Sequence, residues 1–491
     1  MALLDVQIHA LVAAPLLLPM MAGLLAALLP RWAAAISFAG ALALAAAAAL
    51  LVAAVALHGT LRTTFGDWPA PFGIEFVADP LGVAMVAVTA LMAVVCLLFQ
   101  RSGIDAAPES DVLHPLLQLL LAAVCGAFLT GDIFNLYVWF ELMLVAAVGL
   151  LALGRRRDQL EGALKYFVLN ALGTMLFLMA IGWLYARTGH LNFAALEAAA
   201  GGLAAAELGF FAAALCLGFL LKAGAFPLFA WLPAAYHTLP APLLALFAGL
   251  LTKVGVYAVL RVLGDVFATA PDVMFEVLGW VAVATMVTGV LGAAFHWDMR
   301  RILAFHIVSQ IGYMLLGIAL DSAAGRTGTV FYIVHHIIVK ANLFLVAALV
   351  AREVGSYDLR RAGGLWAKRP MLALFFAIPA LSLVGIPPLS GFWAKFILVR
   401  ESIVLEHWTW AAAMLLVGFL TLYSMMKIWF EAFWKPLPAD LAPHDPGPRG
   451  PAFAAIAASA LLAALTLVLG LLPEPFLDFA AAANAAMEAV P

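Results

Sequence analysis

The sequence predicts an all-α, polytopic membrane protein of about 14 transmembrane helices, arranged as two inverted five-helix repeats that each hold a broken helix. Three observations predict it. Hydrophobic residues make up 66% of the 491 and charged residues 11%, with a mean hydropathy of +1.08, whereas a soluble domain carries about 25% charged residues. Apolar runs of about 18 residues or more, enough to cross a bilayer as helix, recur along the chain. Two of these runs are interrupted by similar Gly-Pro stretches.

The spans are expected at 6–29, 33–57, 80–100, 113–130, 131–153, 162–186, 207–233, 240–261, 273–296, 300–320, 327–351, 370–400, 408–434 and 452–473. The first lies in MALLDVQIHALVAAPLLLPMMAGLLAALLP, which lacks a basic leading segment and holds Asp5. It reads as a retained helix and not as a cleaved signal peptide. The loop HGTLRTTFGDWPAPFGIEFVADP, rich in Gly, Pro and aromatics, is expected to form a hairpin on the membrane surface. Residues 1–112 then hold the first three helices, 113–262 the first repeat, 263–435 the second and 436–491 the last helix.

Basic residues sort by side on this scheme. One side holds Arg31, Arg101, Arg155, Arg156, Arg157, Arg300, Arg301, Arg352, Arg360, Arg361, Lys368, Arg369, Lys435 and Arg449. The other holds only Arg62, Arg187, Arg261, Arg326 and Arg400. The positive-inside rule makes the first side cytoplasmic and places both termini outside. The remaining cations are all lysines: Lys165, Lys222, Lys253, Lys340, Lys395 and Lys427. Arginine is absent from the interiors of the expected spans. A desolvated lysine can lose its proton and an arginine cannot, so the choice favours groups that change charge.

The interruptions are GAFPLFAW (224–231) and GIPPLSGFW (385–393). Pro227 donates no N–H and is expected to clash with the carbonyl of Ala223, breaking the helix beside Lys222. Pro387 and Pro388 do the same ahead of Lys395. Freed backbone groups at membrane depth need water or a partner. A hydrated break beside a titratable amine is a place to hold a proton.

Glu141 is the only charge between Asp132 and Arg155 and is expected to pair with Lys222. Lys253 is alone in its span, placed to relay protons sideways. His336 and Lys340 are four apart and share a helix face, with His335 adjacent; histidine titrates near neutrality. Five charged groups at membrane depth cost on the order of 12–18 kcal/mol on insertion scales. Such a line reads as a proton pathway. Lys427 with Glu431 and Lys165 with Glu161 read as interfacial pairs. His306, His237 and Asp132, near span ends, are candidates for proton uptake or release.

Several classes are disfavoured. There is no basic stripe for nucleic acid, no dinucleotide fingerprint and no P-loop. Cys96, Cys125 and Cys216 stand alone, without C-x-x-C spacing. No cofactor and no metal site are expected.

In GDIFNLYVWFE, KYFVLN, LLKAGAFPLFAWLP, SQIGYMLLG and ALSLVGIPPLSGFWAK, the chain resembles the antiporter-like subunits of complex I and of the Mrp (Mnh) cation/proton antiporters, and is most similar to the D-subunit family of the latter. The resemblance implies fourteen helices, inverted repeats and two broken helices. It implies that Glu141 is the fifth-helix glutamate, Lys222 the lysine of the broken seventh, Lys253 that of the eighth and Lys395 that of the broken twelfth. Lys340, with His335 and His336, matches the central relay. The implied function is exchange of cytoplasmic Na⁺ for external H⁺ in a bacterial inner membrane, with a large A-type subunit and several small subunits as partners. The alternative is a proton-pumping subunit of a redox-driven, complex I-like or membrane-bound hydrogenase complex.

Overall fold

A computed structural model describes residues 2–65, 68, 72–438 and 452–488. Helices α1 (Ala2–Leu28) and α2 (Ala33–His58) lead into an antiparallel hairpin, β1 (Leu61–Thr64) with β2 (Glu75–Ala78), in the loop expected to form one. Then come α3 (Pro80–Gln100), α4 (Leu113–Leu129), α5 (Ile133–Leu151), α6 (Arg157–Thr188) and the short α7 (Phe193–Ala200). One broken element comprises α8 (Ala205–Ala223) and α9 (Trp231–Tyr236). After it run α10 (Ala241–Arg261), extended by a π-helical turn at Val262–Val266, then α11 (Asp272–Phe295), α12 (Met299–Ala319) and α13 (Ala323–Val354). A single turn, α14 (Leu365–Lys368), precedes the second broken element, α15 (Pro370–Val384) and α16 (Ser390–Val404). The chain finishes with α17 (Trp408–Trp429), α18 (Ala452–Leu471) and α19 (Glu474–Glu488).

Each expected span contains helix. Among the described residues, 12 helices are long and apolar enough to cross a membrane, and Leu113–Leu129 and Pro370–Val384 are shorter apolar helices. Neither α7 nor α19 is among the expected elements. Arg449 and both chain ends lie outside the described residues.

Helix starts follow local chemistry. Asp79 accepts from Gly82 N at 2.7 Å, with Pro80 as first helical residue, and opens α3. Asp132 opens α5, Asp298 opens α12 and Ser322 opens α13 in the same way. Two of these caps belong to matching clasps. Ile133 N bonds Leu191 O and Phe193 N bonds Gly131 O, both at 2.9 Å. Met299 N bonds Tyr357 O and Leu359 N bonds Trp297 O, both at 3.0 Å. The first clasp adjoins the hairpin through Gly131 N to Glu75 O at 2.9 Å. The second adjoins Asp105, which accepts from Tyr357 Oη at 2.5 Å. The hairpin and Asp105 lie beyond opposite ends of α3, a helix about 30 Å long at 1.5 Å per residue, so the clasps close opposite faces.

Loop contacts sort the same way. On the Asp105 face, Arg156 donates to Thr238 O at 3.2 Å, Ala241 N to Asp105 Oδ2 at 3.1 Å and Gly364 N to Lys435 O at 2.7 Å. The middle of the bundle is deeply enclosed: every residue of α10 is buried, and α12 and α13 are nearly so.

One expectation fails here. Arg261 lies inside the last turn of α10, 6% exposed, ion-paired to Asp79 and Asp265 and donating to Tyr257 Oη at 3.0 Å. Arginine is therefore not absent from the spans. The helix runs further than hydropathy suggests because two carboxylates compensate the guanidinium.

Candidate functional site

Both breaks have the same backbone. Gly224 (φ 79°) and Gly385 (φ 100°) adopt the left-handed region that favours glycine. In each case the next residue's N–H reaches back: Ala225 N to Leu220 O at 2.9 Å and Ile386 N to Leu381 O at 3.1 Å. A turn follows, closed by Leu228 N to Ala225 O at 2.7 Å and by Leu389 N to Ile386 O at 3.0 Å. The glycine therefore ends the first half-helix. Pro227 and Pro388 lie three residues later within the turn, so the expected clash with the Ala223 carbonyl is not what breaks the helix.

The lysines meet these breaks differently. Lys222 is in the last turn of α8, 4% exposed, with its amine 5.1 Å from the centroid of the Phe140 ring. No ion pair within 4.0 Å joins it to Glu141 among the described residues, so the expected direct pairing is absent. Glu141, on the neighbouring turn of α5, is only half-buried and acts on Lys222 through space. Lys395 belongs to α16 but reaches back, donating to Leu383 O at 2.9 Å and Val384 O at 3.0 Å. Its amine also lies 4.7 Å from the centroid of the Tyr313 ring. Both amines thus stand at the carbonyl end of a half-helix, where the helix dipole favours a cation.

Between the breaks runs a line of buried polar groups. Gly255 brings α10 against α8: a Cβ there would lie 2.6 Å from Ala223 N. Lys253, two residues earlier, is fully buried and donates to Ala248 O. On α13, His336 and Lys340 are fully buried, and among the described residues neither side chain has a hydrogen-bond partner. His335 Nδ1 lies 2.8 Å from Ser390 Oγ at the start of α16. Lys253 acts electrostatically on His336 and Lys340, and Lys395 on His335 and His306. The order is therefore Glu141, Lys222, Lys253, Lys340 with His336, His335 and Lys395. Buried polar atoms without protein partners normally bind ordered water. A chain of such atoms can pass protons between amines and imidazoles.

Some residues differ from expectation. His306 is not near a helix end but fully buried in α12, with Nε2 2.5 Å from Ser424 Oγ. Lys427 does not pair with Glu431. It donates to Ala294 O at 3.2 Å and His296 O at 2.7 Å, while Glu431 pairs with Lys435. Lys165 and Glu161 form the expected exposed pair at 2.5 Å. Asp132 serves as the α5 cap. His237 lines a cavity of about 400 Å³ on the Asp105 face, with His296, Arg301 and Lys165. Its Nδ1 is 2.8 Å from Pro233 O and its Nε2 3.1 Å from Arg301 Nη2. A carbonyl only accepts and a guanidinium only donates, so the imidazole is neutral with the proton on Nδ1. Burial first, then Arg301, holds its pKa below the ordinary histidine range. Ser390, Ser424 and the Tyr332–Gln310 bond at 2.5 Å carry no charge, and no sequence signal distinguishes them from ordinary small or aromatic packing residues.

A sequence profile for the transmembrane family described as NADH:quinone oxidoreductase/Mrp antiporter matches residues 130–421. The Na(+)/H(+) antiporter D subunit of Alkalihalophilus pseudofirmus is 44% identical over 77% of each chain. The Na(+)/H(+) antiporter D subunit of Bacillus subtilis is 36% identical over 86% of each. A chain in the structure of the Mrp complex from Dietzia sp. superposes with a TM-score of 0.90 and 31% identity, covering 99% of both chains. A chain of the archaeal membrane-bound sulfane sulfur reductase superposes with a TM-score of 0.88 at 24% identity over 98% of both, a likeness of fold.

Proposed function

The chain belongs to the NADH:quinone oxidoreductase/Mrp antiporter transmembrane family, and from that premise we infer that it is the proton-carrying membrane subunit of a multi-subunit Na⁺/H⁺ antiporter. It works with other membrane subunits, in exchange of cytoplasmic Na⁺ for external H⁺. The observation that carries this reading is the line that starts at half-buried Glu141 and runs through buried Lys222, Lys253, Lys340, His336 and His335 to Lys395, passing both helix breaks.

In this reading residues 113–262 and 263–435 are inverted repeats of five helices each, supported by the matching breaks and the matching clasps on opposite faces. The face of Asp105, Arg156 and Arg300 is cytoplasmic, supported by its excess of basic residues. Glu141 sets the field that keeps Lys222 charged. When that field weakens, Lys222 passes its proton to Lys253, and Lys340, His336 and His335 carry it to Lys395. Lysine suits this role because a desolvated ammonium releases its proton.

Lys222→Arg tests the reading. Guanidinium keeps the charge but stays protonated even when buried. The expected result is an assembled complex with little cation/proton exchange, measured as collapse of a pH gradient on Na⁺ addition to inverted vesicles and normalised to complex abundance on a native gel. Near-normal exchange would leave Lys222 as a fixed countercharge and remove the proton-carrier role.

A further inference from the structure

Away from the buried line, a crevice of about 470 Å³ opens where the end of α13 meets the starts of α15 and α18. Its mouth holds three cations, Arg352, Lys368 and Arg369, and one carboxylate, Glu353. Glu353 is spent on Arg369, with Oε2 2.9 Å from Nε. Among the described residues, Arg352 and Lys368 have no ion-pair partner within 4.0 Å. Below the mouth the walls are apolar: Leu372 is 9% exposed and Ile456, on α18, 44% exposed. Trp366, next to this mouth on α14, is 54% exposed, as a residue at the headgroup level of a membrane would be.

Unpaired cations over an apolar slot match one kind of molecule. A phosphate ester would fit between the cations, and a hydrocarbon chain would fit the wall that continues along α15 and α18. A free anion would satisfy the mouth and leave the slot uncovered. A neutral lipid would fill the slot and leave two cations unpaired. We propose that this crevice binds an anionic phospholipid, its phosphate held by Arg352, Lys368 and Arg369 and one acyl chain lying against Leu372 and Ile456. Basic pockets between membrane helices suit such headgroups. The bound lipid would tie the end of α13, which carries His335, His336 and Lys340, to the start of the second broken element.

The test uses the intact complex, stripped of lipid in detergent and titrated with phosphatidylglycerol, with bound lipid counted by native mass spectrometry. Wild type is expected to show a saturable site that phosphatidylcholine and inorganic phosphate do not compete for. Arg352→Gln/Lys368→Gln should weaken that site about twenty-five-fold, about fivefold per cation removed. Leu372→Trp, which keeps every charge and fills the slot, should weaken it too. Arg31→Gln/Arg101→Gln, on the same face but away from the crevice, should leave it unchanged. Three results overturn the proposal: unaltered binding in Arg352→Gln/Lys368→Gln, equal weakening by Arg31→Gln/Arg101→Gln, or effective competition by inorganic phosphate. Variants are compared only where a native gel shows full assembly, and Arg352→Lys should bind as wild type.

Discussion

At the first break the lysine belongs to the helix that ends, and its amine rests near an aromatic face with no hydrogen bond among the described residues. At the second it belongs to the helix that begins, and its amine holds two carbonyls of the helix before. The backbones of the two breaks are alike, turn for turn. The difference teaches that position in sequence and role in structure separate here. Lys222 can exchange its proton without unmaking a structural bond. In the proposed pathway Lys395 would be both a carrier and the cap of its own break, so each proton released there would weaken two hydrogen bonds.

The comparison can be broken most directly at the lysines. Lys222→Ala and Lys395→Ala should both abolish exchange in vesicles, but only Lys395→Ala should destabilise the purified complex. It leaves the Leu383 and Val384 carbonyls buried without a donor, at about 1–3 kcal/mol each, and thermal unfolding reads the loss. Equal melting of the two variants would erase the distinction.

The same asymmetry should appear in close packing. A Cβ at Gly391 would lie 1.8 Å from Ser382 O, and one at Gly255 2.6 Å from Ala223 N. Overpacking costs about 1–3 kcal/mol, and Gly391→Ala is expected at or above the top of that range, with Gly255→Ala lower. Assembly yield and unfolding temperature measure both, and a milder Gly391→Ala would contradict the tighter second break.

Glu141 sharpens the first half of the comparison. Because it acts on Lys222 through space, Glu141→Ala should lose most exchange while Glu141→Asp keeps a measurable part, in the same vesicle assay. Normal exchange by an assembled Glu141→Ala complex would remove the carboxylate from the pathway.

The smallest effect is expected at His237, outside the spans. Its folded pKa is held below the ordinary value, chiefly by burial. Below pH about 6.5 the unfolded imidazole takes up a proton that the folded one refuses, so stability falls with pH there. His237→Gln should flatten that acid limb in unfolding scans from pH 8 to about 5 and leave the neutral value nearly unchanged. An identical acid limb would show that the imidazole is not held neutral.

Much of this was legible in the sequence because charges inside apolar runs are conspicuous. Glu141, Lys222, Lys253, Lys340 and Lys395 are the isolated charges in the interiors of their spans, and the Gly-Pro repeats mark both breaks. What hydropathy does not encode is which neighbour a group meets. The Glu141–Lys222 contact, the Lys427–Glu431 pair and the placement of His306 near a helix end all assumed neighbours in sequence or in a span diagram. Packing assigned others: Phe140 under Lys222, backbone carbonyls to Lys427 and Ser424 to His306. The sequence groups Arg261 with the loop cations because its partners, Asp79 at the start of α3 and Asp265 in the π-helical turn, are not marked by hydropathy, and one of them is far away in the chain.

Every residue of helix α10 is buried, yet α12, α13 and α16, which help to enclose the line of buried polar groups it belongs to, follow it in the chain. During biosynthesis it therefore leaves the translocon before its wall has been made. At that moment Lys253 faces hydrocarbon, at about 2.5–3.5 kcal/mol on the insertion scale. The ten Leu, Phe and Val residues of α10 offset this by about 3–6 kcal/mol. The apolar residues of α10 thus serve twice, offsetting Lys253 during insertion and packing in the hydrophobic core of the finished bundle.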